Sequence, residues 1–245
     1  MKKLIYILPI LLFLAISCND PDSFGCFKKA GGHAIEERPI GAFSNVIIET
    51  GVDIRFSDAQ TETISIEGPE NLLHKIETNI NRDTLYIKDS NSCSWVRSPV
   101  RTMIHLPIPS DVKIYYRGYG NIELQTIEPI NTFDLHIDDG MGDIYLNFAT
   151  VGTVSVYNNS FSNVHLSGTA DSLHFQYRNN FGQFEASALE SRKVNMVYGG
   201  KNDVTINPTE SITGVITGFG DVYSIQRPPV VDIEEISGGK LIFQD

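Results

Sequence analysis

The sequence predicts an all-β chain folded as a parallel solenoid with rungs of about twenty residues. Three observations carry this. Phe, Tyr, Ile, Val and Thr are plentiful, while runs of good helix formers are rare. Short stretches alternate apolar and polar residues with a period of two, the mark of strands with one face buried. From Gly118 onward one motif returns: GYGNIEL from Gly118, GMGDIYL from Gly140, SFSNVHL from Ser160, NFGQFEA from Asn180, GKNDVTI from Gly200, GFGDVYS from Gly218 and GGKLIF from Gly238. Aligned on the apolar residue after each corner (Ile122, Ile144, Val164, Phe184, Val204, Val222, Leu241), the steps are 22, 20, 20, 20, 18 and 19 residues. One such rung cannot bury its own inner face, whereas stacked rungs bury a continuous core.

The chain opens on a targeting segment. Lys2 and Lys3 precede an apolar run from Leu4 to Ile16, which ends at Ser17-Cys18. A basic start, a short apolar core and small residues at its end describe a secretory signal over 1–17; the run is too short to span a bilayer. Leu14-Ala15-Ile16-Ser17 before Cys18 resembles a bacterial lipobox, with Ala15 where Leu is usual. That places signal cleavage before Cys18 and a lipid on its sulfur. Residues 18–38, rich in Asp, Gly, Lys and Pro, read as a lipidated tether. Residues 39–245 read as the folded body.

Strands are expected at 43–48, 52–56 and 63–67. Gly68-Pro69-Glu70-Asn71-Leu72-Leu73 breaks the alternation, and proline ahead of two leucines predicts one or two helical turns. Residues 76–80 and 85–87 resume as a hairpin through Asn81-Arg82-Asp83. A loop over 91–99 holds Cys93 and Trp95, and strands follow at 103–106 and 112–115, before the repeat. Within the repeat, Asp139, Asn159 and Asn179 precede three corners. Such residues tolerate a left-handed bend and can ladder from rung to rung. Tyr157 and Tyr177, twenty residues apart, are expected to form a short second column.

Charge and cysteines bound the function. The net charge of −11 becomes −13 once Lys2 and Lys3 leave with the signal, so a phosphate backbone is repelled and nucleic acid is not expected as a partner. With Cys18 lipidated, Cys26 and Cys93 remain. Outside the cytoplasm they form a disulfide that staples the tether to the body, or else stay as two buried thiols. Neither has a neighbour at metal-ligand spacing. No phosphate loop, nucleophile elbow or zinc motif is present, so neither cofactor nor metal is expected.

Two surface features are candidates for function. The corner residues Tyr119, Phe161, Phe181 and Phe219, with Met141 and Lys201 between them, form a mostly aromatic column. It reads either as inward core filler or as an outward stripe that binds a glycan or a protein surface. Glu123, His165 and Glu185 fall at outward positions on nearby rungs, the kind of row a polysaccharide-cleaving β-helix would use. Corner acids such as Asp143, Asp203 and Asp221 are read as turn formers, since the period is not that of calcium-binding nonapeptide repeats.

The lipobox, Cys26-Phe27-Lys28, Phe43-Ser44-Asn45-Val46, Glu67-Gly68-Pro69-Glu70-Asn71-Leu72-Leu73, Cys93-Ser94-Trp95-Val96-Arg97 and the Gly-x-Gly-Asn/Asp corners together resemble the head GIN domain family of lipoproteins and secreted proteins. The resemblance covers roughly residues 39–225. It implies a right-handed β-helix-like solenoid at the cell envelope with an adhesin-type role, and it carries no catalytic residues. The expectation is therefore a non-enzymatic binding module held to a membrane by its N-terminal lipid. The alternatives are a polysaccharide-acting enzyme and an assembly protein whose solenoid ends pair.

Overall fold

The computed structural model describes residues 30–49, 51–58, 61–91, 101–178 and 181–244. Cys18, Cys26, Cys93 and Trp95 lie outside these, and with them the lipid and disulfide expectations. The strands are β1 His33–Pro39, β2 Asn45–Ile48, β3 Asp53–Ser57, β4 Thr63–Pro69, β5 Ile76–Asn81, β6 Thr84–Asp89, β7 Met103–Pro107, β8 Asp111–Tyr116 and β9 Ile122–Gln125. They continue as β10 Ile130–Asp138, β11 Asp143–Asn159, β12 Asn163–Arg178, β13 Phe184–Gly199, β14 Val204–Ile216, β15 Val222–Ser224, β16 Val230–Glu235 and β17 Leu241–Phe243. The expected helical turn is present as α1, Glu70–Leu73, following Pro69. The expected hairpin is β5–β6, which pair antiparallel, with Arg82 at φ 58° in the turn.

Pairing arranges the strands on two faces. One runs β1-β4-β7-β3-β9-β11-β12-β13-β14-β15-β17 and the other β5-β6-β2-β8-β10-β11-β12-β13-β14-β16. Strands β11 to β14 are long because each wraps from one face to the other. With about 6 turns and rungs of about 21 residues, the chain is the predicted solenoid. The alignment read from the repeat is also the register: Ile122↔Ile144↔Val164↔Phe184↔Val204↔Val222↔Leu241 are all partners in parallel pairs. Between the faces lies one apolar core, into which Ile54, Ile104, Ile122, Ile144, Val164 and Phe184 stack.

The N-terminal third departs from simple stacking. Strand β3 lies between β7 and β9, so the rung of β2 and β3 is covered on one side by β6 and β7 and on the other by β8 and β9. Strands β1, β4 and β5 close this end with antiparallel pairs. The tether expected over 18–38 therefore ends earlier: 33–38 belong to β1, paired along its length with β4. Arg38 fixes this strand, donating to the carbonyls of Leu73 at 3.0 Å and Ile76 at 2.5 Å. The leucine carbonyl is one of those a helix leaves without a partner at its C-terminal end.

The expected column of Tyr157 and Tyr177 is not formed. A register shift between Phe148 and Val151 makes the second halves of these rungs 19 residues apart, so Tyr157 pairs with Gln176 and Tyr177 with Asn158. Tyr157 faces outward beside His136, and Tyr177 is fully buried. Its burial pushes the phenol pKa far above the ordinary range.

Candidate functional site

The corner column is exposed. Tyr119 retains 59% of its surface, Met141 69%, Phe161 60%, Phe181 50% and Phe219 74%, whereas most other aromatic side chains among the described residues are buried in the core. The inward reading is thereby excluded. The cause is the small residue, mostly glycine, on either side. At Gly142 an added Cβ would sit 1.8 Å from the Gly120 carbonyl oxygen, and at Gly182 2.0 Å from that of Ser162. The corner backbones of successive rungs thus stack directly on one another. With no space beneath, the residue between the small ones has only solvent to point into. Backbone bonds hold the steps: Met141 N–H to Gly118 O at 2.8 Å, Phe161 N–H to Gly140 O at 3.1 Å and Phe219 N–H to Gly200 O at 3.1 Å.

The rings of Phe161 and Phe181 stack with centroids 5.7 Å apart and planes 6° from parallel. On the next rung the Lys201 ammonium lies 4.5 Å from the Phe181 centroid. At one end the Tyr119 ring lies on Gly51, where a Cβ would meet it at 1.9 Å; at the other, Phe219 lies over Gly238 at 3.2 Å. Phe161 and Phe181 thus use one face on each other, and Phe181 meets Lys201 as well, while half or more of each ring stays exposed. A ridge of exposed rings with Met141 suits an apolar groove on a partner.

The acidic and amide residues after each corner form the rung-to-rung ladder that sequence reasoning gave to Asp139, Asn159 and Asn179 before it. Asp53 Oδ1 accepts from Asn121 N–H at 2.7 Å, Asn121 Oδ1 from Asp143 N–H at 3.1 Å, and Asn163 Oδ1 from Gln183 N–H at 2.9 Å. Asp203 and Asp221 continue the ladder to Asp221 N–H and Lys240 N–H at 2.9 and 2.8 Å. Of the expected bend residues, Asp139 has a positive φ of 57° and Asn159 does not, while Asn179 lies outside the described residues. The signal for the ladder was the Asn/Asp ending each Gly-x-Gly corner. Among the described residues no three His, Cys, Asp or Glu side chains converge as a metal site.

Glu123, His165 and Glu185 do share a surface, a groove of about 980 Å³ along the face of β3, β9 and the first halves of β11 to β13. Register places Arg55, Glu123, Tyr145, His165 and Glu185 in one outward row. Glu123 and Glu185 are three strands apart, roughly 14 Å at about 4.8 Å per strand. Paired-carboxylate glycoside hydrolysis uses separations of about 5–9.5 Å. Glu123 also leans the other way, its Oε2 held by Arg55 at 2.7 and 2.9 Å, while Glu185 accepts from Ser187 N–H at 2.9 Å. Between them Tyr145 and His165 stack at 4.8 Å and 9°. The three residues are therefore on one groove but do not converge on one point.

A family profile described as "Putative auto-transporter adhesin, head GIN domain" matches residues 42–228. Among solved structures, a "putative adhesin" from Bacteroides fragilis superposes with a TM-score of 0.72 at 20% identity, covering 86% of this chain and 97% of its own. A "putative adhesin" from Parabacteroides distasonis gives 0.66 at 11% identity over 87% and 97% of the two chains. A protein from the same organism described as a "Putative lipid binding protein" gives 0.59 at 16%, over 86% and 97%. At these identities the likeness is one of fold. No functionally curated protein matches the chain.

Proposed function

The chain belongs to the head GIN domain family, and from that premise we propose that it is a lipid-anchored, non-catalytic binding module of the cell envelope whose exposed corner column engages a protein on a facing surface. The observation that carries this is the column itself: four aromatic rings and Met141, each half or more exposed, on five of six consecutive corners of the stack. Exposed apolar ridges of this kind mark interaction surfaces. Stacking and the lysine contact restrict the rings before any partner arrives, which lowers the ordering cost of binding. Lys201 adds a positive charge to the ridge of an otherwise acidic chain. Cys18 carries the lipid and a Cys26–Cys93 disulfide ties the tether to the body; no helix among the described residues is long and apolar enough to cross a membrane.

One set of preparations tests the proposal. Full-length protein made in its host incorporates palmitate, and Cys18→Ala abolishes the label; an unlabelled wild type ends the anchoring half. Its mass under non-reducing conditions accounts for one disulfide, and recovery of Cys26 and Cys93 as free thiols ends that assignment. On an array of glycans and host surface proteins, capture falls roughly tenfold or more in Phe161→Ala/Phe181→Ala, with the thermal transition retained. Capture that is unchanged, or that goes to glycans or lipid vesicles alone, overturns the protein-binding role of the column.

A further inference from the structure

The groove on the other surface of the solenoid carries chemistry the corner column does not use. We propose that it is a separate binding site for a neutral, linear oligosaccharide, lying across the Tyr145–His165 pair.

Two parallel outward rows line it. The first holds the Arg55–Glu123 ion pair, the stacked Tyr145 and His165 rings, and Glu185. The second, two residues along each strand, holds Ser57, Gln125, Asn147 and Ser167. One end is walled by the turn at Ile127, whose N–H is held by Asp58. The other is walled by the irregular stretch of β13 that places Ala188 beside Ser167. A volume of about 980 Å³ lies at the upper end of ordinary ligand pockets, enough for several linked units.

The polar groups decide the ligand class. Among the described residues, the side chains of Ser57, Gln125, Asn147, Ser167 and the Tyr145 hydroxyl make no hydrogen bond to another part of the chain, in a protein where the comparable Asn121, Asp143 and Asn163 are all engaged in the corner ladder. An amide beside a hydroxyl offers donors and acceptors together, which is what a sugar hydroxyl, itself both, requires. An apolar occupant would strip these groups of water without replacing the bonds. Arg55 is neutralised by Glu123, leaving Asp58 and Glu185 as net negative charge, so an anionic chain is repelled. A peptide cannot add as a strand, because the groove lies on a sheet face and not at an edge. Polar groups recur on four neighbouring strands, about 4.8 Å apart, which favours a ligand that is itself a repeat.

The test is titration calorimetry of the full chain, in detergent, with neutral hexasaccharides of glucose, mannose, galactose and N-acetylglucosamine, and with a sulfated hexasaccharide. At least one neutral hexasaccharide binds below about 1 mM, and Asn147→Ala and Gln125→Ala each weaken it roughly tenfold. Tyr145→Ala weakens it further, and His174→Ala, on the opposite face, leaves it unchanged. Each variant is checked by its thermal transition, and the two exposed amide variants keep the test valid should Tyr145→Ala fail to fold. No heat from any neutral sugar at 10 mM, preference for the sulfated one, or equal binding by all variants overturns the assignment.

Discussion

Glycines at the corners show how one atom sets the surface chemistry of this protein. Because Gly142 rests on the Gly120 carbonyl, the corner has no interior, and Met141 and its counterparts must face water. Replacing Gly142 with alanine sets a Cβ 1.8 Å from backbone, which cannot swing aside as a side chain would. The expected cost is about 1–3 kcal/mol, the usual range for overpacking. At about 2–4 °C per kcal/mol for a chain of this size, the thermal midpoint falls measurably. Gly32, with nothing within 4 Å of its Cβ position, is the control, and Gly32→Ala leaves the midpoint within error. Equal midpoints for the two variants would contradict the close-stacked corner. The sequence displayed these glycines but left the direction of the rings open, since a small neighbour fits an inward bend as well as a bare ring. Only the distance between rungs separates the two.

Among elements, the repeating half was legible and the closing half was not, for reasons of chain order. From Ile122 to Leu241 each rung follows its predecessor in sequence, so the repeat read from residues is the hydrogen-bonded register. Before that, β3 is sandwiched by strands that come later, and no fixed step relates Ile54 to Ile104 or Ile122. The closing strand β1 depends partly on charge. Glu67 accepts from His33 at 3.1 Å and from His105 at 3.3 Å, and these bonds, that with His33 first, lower its pKa. Glu36 on β1 is lowered by its hydrogen bond with Arg38. A carboxyl group with a depressed folded pKa stabilises above its unfolded pKa and ceases to as pH falls through the folded value. Docking of β1 is therefore expected to hold at pH 6 and to loosen toward pH 3. Amide protection factors, corrected for intrinsic exchange, fall in β1 relative to β12 over that range, and Glu67→Gln flattens the difference. Parallel loss in both strands would instead mean global acid unfolding.

Taken whole, a solenoid has two ends, and each is an open invitation to another copy unless something prevents it. At the N-terminal end the antiparallel strands β1 and β5 turn the stacking direction, and β1 carries Glu36, Glu37, Arg38 and Pro39, residues that discourage further pairing. At the C-terminal end β16 and β17 are parallel strands whose outer edges pair with no other strand among the described residues, over a last layer in which Ile233, Leu241 and Phe243 pack only partly against the core. Arg227 covers the Phe243 ring at 4.5 Å, and Asp232, Glu234 and Glu235 crowd β16 with negative charge. Stacking a second copy there would bring this acidic strand against a chain that is itself acidic, so charge opposes the assembly reading that the sequence left open. Glu235 is already engaged with Lys240 at 3.0 Å and with Leu241 N–H at 2.9 Å, leaving Asp232 and Glu234 as the acids to remove. Sedimentation velocity of Asp232→Asn/Glu234→Gln is expected to show concentration-dependent association that wild type lacks. A variant that stays a single species at every concentration would mean that the strand geometry itself, and not its charge, closes the solenoid, and a wild type that already associates through this end would mean that charge does not close it.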